Sequence, residues 1–323
     1  MRRKGRVIAV LALALACAPG TWLRTEVSNQ APTDIALTRI AGPSATDTPG
    51  WRLGGVWQYS AQSRYFGGFS AMLVLGDHRL RAFSDRGARF TFAEPDRSDP
   101  DAAPPRVDFQ LVEPEYMNDL WDIEAATRDP ATGDYWLTYE NLHAIHRNSV
   151  ASERKGVRVL ADEVDWPVNG GAEAMVRLAD GRFVIIPEGR PEALIFAGDP
   201  VARPDPARTI RWEVPAPGYV VTDMAQLPDG RVLMLLRDLE IAFPPFVSLL
   251  AIADPPPLTG EGRWSGEVVF TLDGLIPREN YEGMTLREED EGTVSVWVIA
   301  DDNQSIMQRT LLVKLIFDPS VES

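Results

Sequence analysis

The sequence predicts an all-β protein folded as a β-propeller, most simply one with six blades. Short β-prone stretches separated by Asp-Gly and similar turns form five comparable hairpin units along the chain. The units begin at Ser70, Glu124, Glu173, Asp223 and Glu282, so successive starts are about 50 to 60 residues apart, a period typical of propeller blades. No stretch shows sustained helical periodicity with caps at both ends.

Each hairpin is predicted to supply the two inner strands of a blade. The five hairpins occupy residues 69–87, 122–141, 172–190, 222–238 and 281–303. Further short β-prone stretches lie between the hairpins and are predicted as outer strands: residues 106–111, 157–160, 193–196, 209–214 and 267–271.

The two ends of the propeller domain are predicted to close the ring. Residues 53–59 and 310–317 are both strand-like. Because five units do not close a ring comfortably, joining these two stretches as a sixth blade would seal the ring without an exposed sheet edge. Seven blades is the alternative.

The N-terminus has the order of features found in secretory signals. Residues 2–6 are basic, residues 7–16 are apolar, and small residues with Cys17 follow. We therefore expect residues 1–23 to be a signal peptide, a lipoprotein segment lipidated at Cys17, or an uncleaved anchor. Residues 24–50 are predicted as a tether and residues 51–323 as a single propeller domain. The expected location is periplasmic or exported, with membrane contact only through the N-terminal segment.

Composition excludes several classes of function. The 47 acidic residues outnumber the 32 basic ones, for a net charge of −15, which repels nucleic acid. Cys17 is the only cysteine, so the chain has no intramolecular disulfide and no cysteine-rich metal site. No phosphate loop or dinucleotide motif is present, and Ser70 lacks the second glycine of a serine-hydrolase elbow. We expect a monomer that acts on a small molecule.

The hairpin geometry predicts a cluster of carboxylates. The first and last residues of an antiparallel hairpin lie side by side, and the innermost strands of a propeller line its channel. Four pairs are therefore predicted at one end of the channel, and a fifth unit pairs Asp223 with Arg237. The four pairs are Glu124 with Glu140, Glu173 with Glu188, Glu282 with Asp301, and Ser70 with Asp85.

So many carboxylates cannot all stay ionised in one place without raised pKa values or a bound cation. Calcium takes six to eight oxygen ligands, and we predict it as the cofactor. The adjacent Asp301, Asp302 and Asn303 extend this set of oxygen ligands. The interleaved Arg86, Arg190 and Arg237 are candidates for ion pairs with the acids or for binding an anionic substrate.

Several motifs resemble those of the phytase-like family. That family is described as "esterase-like activity of phytase". The resemblance covers roughly residues 50–318 and is carried by residues 83–87, 139–147, 169–175, 280–284, 299–303 and 308–312. It implies a propeller, export, and hydrolysis of esters or phosphate esters. Carried over to this sequence, it implies metal ligands or bases at Asp85, Glu124, Glu173, Glu188, Glu282 and Asp301. It likewise implies phosphate clamps at Arg86 and Arg190.

The sequence therefore favours a calcium-assisted hydrolase of phosphate or carboxylic esters. Its candidate catalytic residues are Glu124, Glu173, Glu282 and His143, the last because it closely follows Glu140. One alternative is a non-catalytic propeller that binds a partner or an envelope glycan, with a structural metal or an ion-paired channel. Another is a propeller enzyme that uses the same carboxylates on a sugar or lactone.

Overall fold

The computed structural model describes residues 28–97, 101–109, 122–167, 170–203, 205–258, 262–290 and 292–321. All regular secondary structure in these ranges is β. Among them, no helix is long and apolar enough to cross a membrane. The predicted export segment and Cys17 lie outside the described residues.

The strands are grouped into five sheets, which we number as blades one to five. Before the first blade come three N-terminal strands, β1 (Ala36–Ala41), β2 (Ser44–Ala45) and β3 (Trp51–Ser60). Blade one contains β4 (Phe69–Val74), β5 (Arg79–Ser84), β6 (Ala88–Ala93) and β7 (Arg106–Phe109). Blade two contains β8 (Ile123–Arg128), β9 (Tyr135–Tyr139), β10 (Ala144–Asn148) and β11 (Arg154–Val159).

Blades three and four follow the same plan. Blade three contains β12 (Ala172–Arg177), β13 (Phe183–Pro187), β14 (Glu192–Phe196) and β15 (Arg208–Glu213). Blade four contains β16 (Val220–Gln226), β17 (Val232–Leu239), β18 (Phe246–Ala253) and, after β19 (Arg263–Ser265), the outer strand β20 (Glu267–Thr271). β19 crosses over to pair in parallel with β15 of blade three.

Blade five joins the two ends of the chain. It contains β21 (Asn280–Glu288), β22 (Val294–Asp301) and β23 (Thr310–Phe317), followed by β3 and β1. The expected pairing of the terminal stretches occurs, since Thr310 lies opposite Tyr59 and Phe317 opposite Trp51. β1 and β2 lie in the stretch that was predicted as a tether, and both pair with β3.

The ring has five blades, so the predictions of six or seven blades are wrong. The innermost strands β4, β8, β12, β16 and β21 pack successively against one another, and β21 packs against β4. The terminal strands do not form a blade of their own, because they extend the fifth hairpin through the pairing of β23 with β22. The all-β propeller itself is confirmed.

The core lies between the blades. Five clusters of buried apolar side chains occur, one at each interface between neighbouring blades. Because a blade packs on both faces, its inner strands are buried along their length rather than at alternate residues: every residue of β13 and of β22 is buried. Each large apolar side chain buried in this way contributes about 1.5–3 kcal/mol. This packing fixes the innermost strands around the channel.

Candidate functional site

Every innermost strand carries a β-bulge near the same end of the channel. The register with the second strand shifts after Phe69, Ile123, Ala172, Val221 and Tyr281. A bulge leaves one residue unpaired and re-aims its side chain. The residues that follow these shifts are Ser70, Glu124, Glu173, Thr222 and Glu282.

Four of the five bulge residues line one cavity of about 360 Å³. Eight carboxylates surround it, together with the Ser70 hydroxyl and the Asn303 amide. The eight are Asp85, Asp122, Glu124, Glu140, Glu173, Glu188, Glu282 and Asp301. The four predicted pairs are therefore brought together at one end of the channel, which we call the acidic end.

The fourth blade differs from the prediction by one residue. Thr222, not Asp223, occupies the bulge equivalent to Glu173 and Glu282. Asp223 is fully buried, and its two oxygens accept the backbone N–H groups of Met224 at 2.8 Å and Met284 at 2.6 Å. Burial raises the pKa of Asp223 well above its usual value, and these two hydrogen bonds oppose that shift. Asp223 thus links blades four and five and does not line the channel.

Three carboxylates lie close enough to share one ion. Ligand oxygens of Asp122, Glu124 and Glu140 all lie within 4.8 Å of one another. Calcium binds oxygen at about 2.3–2.6 Å, so two oxygens on opposite sides of one ion are separated by roughly 5 Å. The spacing and the all-oxygen donor set are therefore compatible with a hard cation such as calcium.

Asp122 was missed as a site residue. Its backbone is left-handed, with φ of 72°, and the corresponding place before the strand in blade one holds Gly68, with φ of 67°. The Asp122 N–H donates to the carbonyl of Asp85 at 2.6 Å, and its carbonyl accepts the N–H of Glu140 at 2.9 Å. These bonds hold its carboxylate between two other acids. Asp is among the few residues that tolerate this conformation, but the sequence does not reveal that it is adopted.

Burial strongly perturbs the acids of blades two and three. It raises the pKa of Glu124 well above the usual value, and the neighbouring Glu173 and Glu282 add to the shift. The pKa of Glu173 is also raised well above normal, first by burial and then by Glu282 and Glu188. Burial raises the pKa of Glu140 to about 7, although the Gly171 N–H donates to it at 3.2 Å.

The acids of blades one and five have closer partners. Arg237 donates to Glu282 Oε1 and to the side-chain oxygen of Asn280, whose amide nitrogen lies 2.8 Å from the same Glu282 oxygen. Burial raises the pKa of Glu282, and Arg237 lowers it in part. The pKa of Asp301 is raised well above normal by burial and by Glu282. Burial also raises the pKa of Asp85, which accepts the Ser84 hydroxyl at 2.9 Å.

Two predicted site residues do not line this cavity. Asp302 accepts hydrogen bonds from the Gly68 N–H at 3.1 Å, the Gln304 N–H at 2.9 Å and the Thr310 hydroxyl at 2.9 Å. His143 is buried against the edge of Trp166, with ring centroids 5.6 Å apart. Its Nδ1 has no hydrogen-bond partner within the described part of the chain. Asp302 therefore stabilises the loop after β22, and His143, between β9 and β10, packs against Trp166.

The three predicted arginines have different surroundings. Arg237 is the one that bonds to a channel carboxylate, as described above. Arg86 donates to the Gln304 side chain, lies 4.0 Å from Asp85, and lines a second cavity of about 360 Å³ that shares Asn303 with the acidic end. Arg190 is exposed, donates to the Asp165 carbonyl at 2.7 Å and lines a separate groove beside Glu188.

Comparison with known families agrees with the motifs. The phytase-like family, described as esterase-like activity of phytase, matches residues 64–304. The chain therefore belongs to the phytase-like family, as its motifs predicted. A search of curated proteins found no match.

Three solved structures align over most of the chain at low identity. A luciferin-regenerating enzyme is 10% identical, with 90% of this chain and 97% of that chain covered and a TM-score of 0.43. An endo-arabinase from Bacteroides thetaiotaomicron VPI-5482 is 10% identical, with 80% and 98% covered and a TM-score of 0.47. A protein of unknown function from the same organism is 11% identical, with 90% and 73% covered and a TM-score of 0.42. We draw nothing about function from likenesses this distant.

Proposed function

We propose that this protein is an exported, calcium-assisted hydrolase of phosphate or carboxylic esters that acts at the acidic end of the channel. The observation that carries the proposal is the single cavity lined by eight carboxylates, three of which offer oxygens within 4.8 Å of one another. Membership of a family described by esterase-like activity supports ester chemistry. The basic and apolar N-terminus supports export.

The residues that would hold calcium are Asp122, Glu124 and Glu140. When bound, calcium would supply positive charge for the oxygens of an ester and would lower the pKa of a water molecule. Without a cation, the pKa of Glu140 is raised to about 7, so this group is partly protonated near neutral pH, and the pKa of Glu124 is raised in the same direction. A positive charge beside these carboxyl groups favours their ionised forms. The ionised carboxylate is the form that binds metal.

Glu173 is the residue that we assign to proton transfer. It lines the cavity, it is 9% exposed, and it is not one of the three clustered ligands. In its ionised form it would accept a proton from the attacking water as the new oxygen–carbon or oxygen–phosphorus bond forms. The same carboxyl would then return the proton to the leaving alcohol as the ester bond breaks. Glu282, which Arg237 orients, faces the same cavity and would position the attacking water.

The second cavity is suited to the rest of the substrate. It adjoins the acidic end through Asn303 and brings Arg86 together with the apolar side chains of Phe66 and Ile306. A guanidinium group binds phosphate or carboxylate oxygens through two parallel hydrogen bonds. Arg86 would therefore bind an anionic group of the substrate, and the apolar walls would contact its alcohol or acyl part. Arg190, on a separate groove beside Glu188, remains a predicted second contact.

The proposal is tested by removing metal and returning it. The purified protein would be treated with chelator and assayed with 4-nitrophenyl phosphate and 4-nitrophenyl acetate before and after calcium is added. We expect calcium, and not an equal concentration of magnesium, to restore turnover of one of the two esters. The Glu192→Gln variant is a matched control, because Glu192 is exposed on β14 away from the channel.

Two results would contradict the proposal and favour the non-catalytic alternatives. If calcium raises the thermal stability but neither ester is turned over, the metal is structural. If calcium changes neither stability nor turnover, the carboxylates are held by protons and by Arg237 alone.

A further inference from the structure

A third cavity, also of about 360 Å³, lies at the opposite ends of the same innermost strands. We call it the basal end of the channel. The residues that lie four positions after the bulge residues surround it: Val74, Arg128, Arg177, Gln226 and Leu286. Arg128 ends β8 and Arg177 ends β12, which are neighbouring strands in the ring. Two guanidinium groups are thus brought to one cavity by the fold.

Arg128 has an unused donor at this cavity. One terminal nitrogen donates to the Val74 carbonyl at 3.0 Å. Its Nε is buried and has no hydrogen-bond partner within the described residues. A buried N–H without an acceptor is unfavourable, so the hydrogen-bonding capacity of this guanidinium is not fully met by the described part of the protein.

Arg177 is also weakly engaged. Its side chain is 20% exposed, its nearest carboxylate contact is to Asp129 at 3.6 Å, and it donates to the Leu178 carbonyl at 3.4 Å. Both distances are long for a charge-assisted hydrogen bond, which is typically about 2.7–2.9 Å. The guanidinium therefore retains most of its capacity to bind an anion at a shorter distance and in a better orientation.

The rest of the basal lining favours an anion over a cation. None of the residues that line this cavity in the described part of the chain is acidic. Met72, Met224 and Met284 supply apolar walls, which weaken dielectric screening of the two guanidinium charges. The hydroxyl oxygens of Thr127 and Thr285 accept the backbone N–H groups of Arg177 at 2.9 Å and Val74 at 3.1 Å. Each hydroxyl is held in place by that bond and has a proton of its own to donate.

We propose that the basal end of the channel binds a small oxyanion, a phosphate or a carboxylate, between Arg128 and Arg177. The oxyanion would accept hydrogen bonds from the guanidinium groups of Arg128 and Arg177, in the forked geometry that suits both anions. This site needs no metal and lies at the other end of the channel from the carboxylates. It is therefore independent of the proposed hydrolase activity.

The test is calorimetric titration of the whole protein with inorganic phosphate and, separately, with acetate. The protein is first stripped of metal with chelator and then dialysed into chelator-free, metal-free buffer, so that no cation can bridge phosphate to the acidic end and no chelator carboxylate competes for the site. We expect at least one of the two anions to bind. Arg128→Gln or Arg177→Gln should raise the dissociation constant of that anion tenfold or more. Binding of phosphate but not acetate would identify a phosphate site, and the reverse a carboxylate site.

Two controls make the outcome specific. Arg211→Gln removes an arginine that is 62% exposed on β15, and Arg237→Gln removes the arginine at the acidic end, so both should leave binding unchanged. If Arg128→Gln does not fold, Arg177→Gln carries the test, since its side chain makes only long contacts. The proposal is overturned if neither anion binds, if both basal variants bind normally, or if Arg237→Gln abolishes binding.

Discussion

The two ends of the channel are built from the same strands but have opposite chemistry. β8 carries Glu124 at one end and Arg128 at the other, and β12 carries Glu173 and Arg177. Four residues along a strand span about 13 Å. The acidic end is formed where every innermost strand bulges, whereas the basal end is formed by regular pairing. The propeller therefore repeats the same backbone arrangement in each blade. Whether a side chain of an innermost strand contributes to the acidic or the basal end depends on its position along that strand.

The difference between the ends also shows what each lacks. At the acidic end, eight carboxylates line the cavity, and Arg237 is the one basic side chain among the described residues that donates a hydrogen bond to any of them, so the site lacks positive charge. At the basal end, no lining residue in the described part of the chain is acidic, and Arg177 lies no nearer than 3.6 Å to the carboxylate of Asp129, so the site lacks a closely bound anion. Each end is complementary to a ligand of the opposite sign.

The largest expected effect falls on proton transfer at the acidic end. Glu173→Gln keeps the shape of the side chain but removes its ability to accept a proton, so hydrolysis should fall by about 100-fold or more. Initial rates with the more reactive of the two esters, at saturating calcium, measure this loss. Glu192→Gln should retain the wild-type rate. Unchanged turnover in Glu173→Gln would remove this residue from the mechanism.

The second effect is on stability as a function of pH. Because the folded pKa of Glu140 is about 7 and the usual value is 4.5, the folded state keeps a proton that the unfolded state has lost between these values. The free energy of unfolding of the metal-free protein should therefore fall as pH rises from 4.5 to 7, by about 1–3 kcal/mol. Glu124 and Glu173 act in the same direction. Denaturant titrations at pH 5 and pH 7.5, with chelator and with calcium, measure this change.

Calcium should cancel most of that loss, because it stabilises the ionised carboxylates that the metal-free fold disfavours. The Glu140→Gln variant should show a weaker dependence on pH than the wild type. A metal-free protein that is equally stable at both values of pH would show that the carboxylates are already neutralised by other means.

A third effect concerns the charge pair at the acidic end. Arg237→Gln leaves Glu282 in the cavity without its cationic partner, and the metal-free protein should lose about 2 kcal/mol of stability at pH 8. The loss should be smaller at pH 5, where Glu282 can take up a proton because burial raises its pKa. The matched control is Arg231→Gln, which breaks an exposed pair with Asp229 and should cost less than about 1 kcal/mol. Equal losses in the two variants would contradict this account of Arg237.

The smallest effect separates the backbone of Asp122 from its carboxylate. Asp122→Gly suits the left-handed conformation, whereas Asp122→Ala should be less stable than the glycine variant by about 1 kcal/mol. Both variants should bind calcium more weakly than the wild type, because both lack the ligand oxygen. Denaturant unfolding and calcium titration measure the two effects independently. Normal calcium affinity in Asp122→Gly would exclude Asp122 from the ligand set.

Local sequence signals predicted the repeating unit and most of the acidic end. The Asp-Gly turns and β-prone stretches located the hairpins, and the side-by-side ends of a hairpin correctly brought Glu173 near Glu188 and Glu124 near Glu140. The number of blades was not predictable in this way. Both terminal stretches are strand-like, but only the pairing of Thr310 with Tyr59 next to β22 shows that they extend an existing hairpin.

The remaining errors at the site come from features of the backbone conformation that cannot be read from the residue types. A bulge moved the channel position in blade four from Asp223 to Thr222. A left-handed residue brought Asp122 into the cavity. Asp302 is adjacent to Asp301 in sequence, but its oxygens accept bonds from Gly68 and the neighbouring loop, so adjacency in sequence did not give adjacency in the site.

The measurement that tests the central claim most directly is calorimetric titration of calcium into chelator-treated protein at pH 7.5, with the wild type and Glu124→Gln compared. The account predicts that the wild type binds calcium, that Glu124→Gln binds it at least tenfold more weakly, and that Glu192→Gln matches the wild type. A wild-type protein that binds no calcium, or a Glu124→Gln variant with unchanged affinity, would contradict a metal site at the acidic end of the channel.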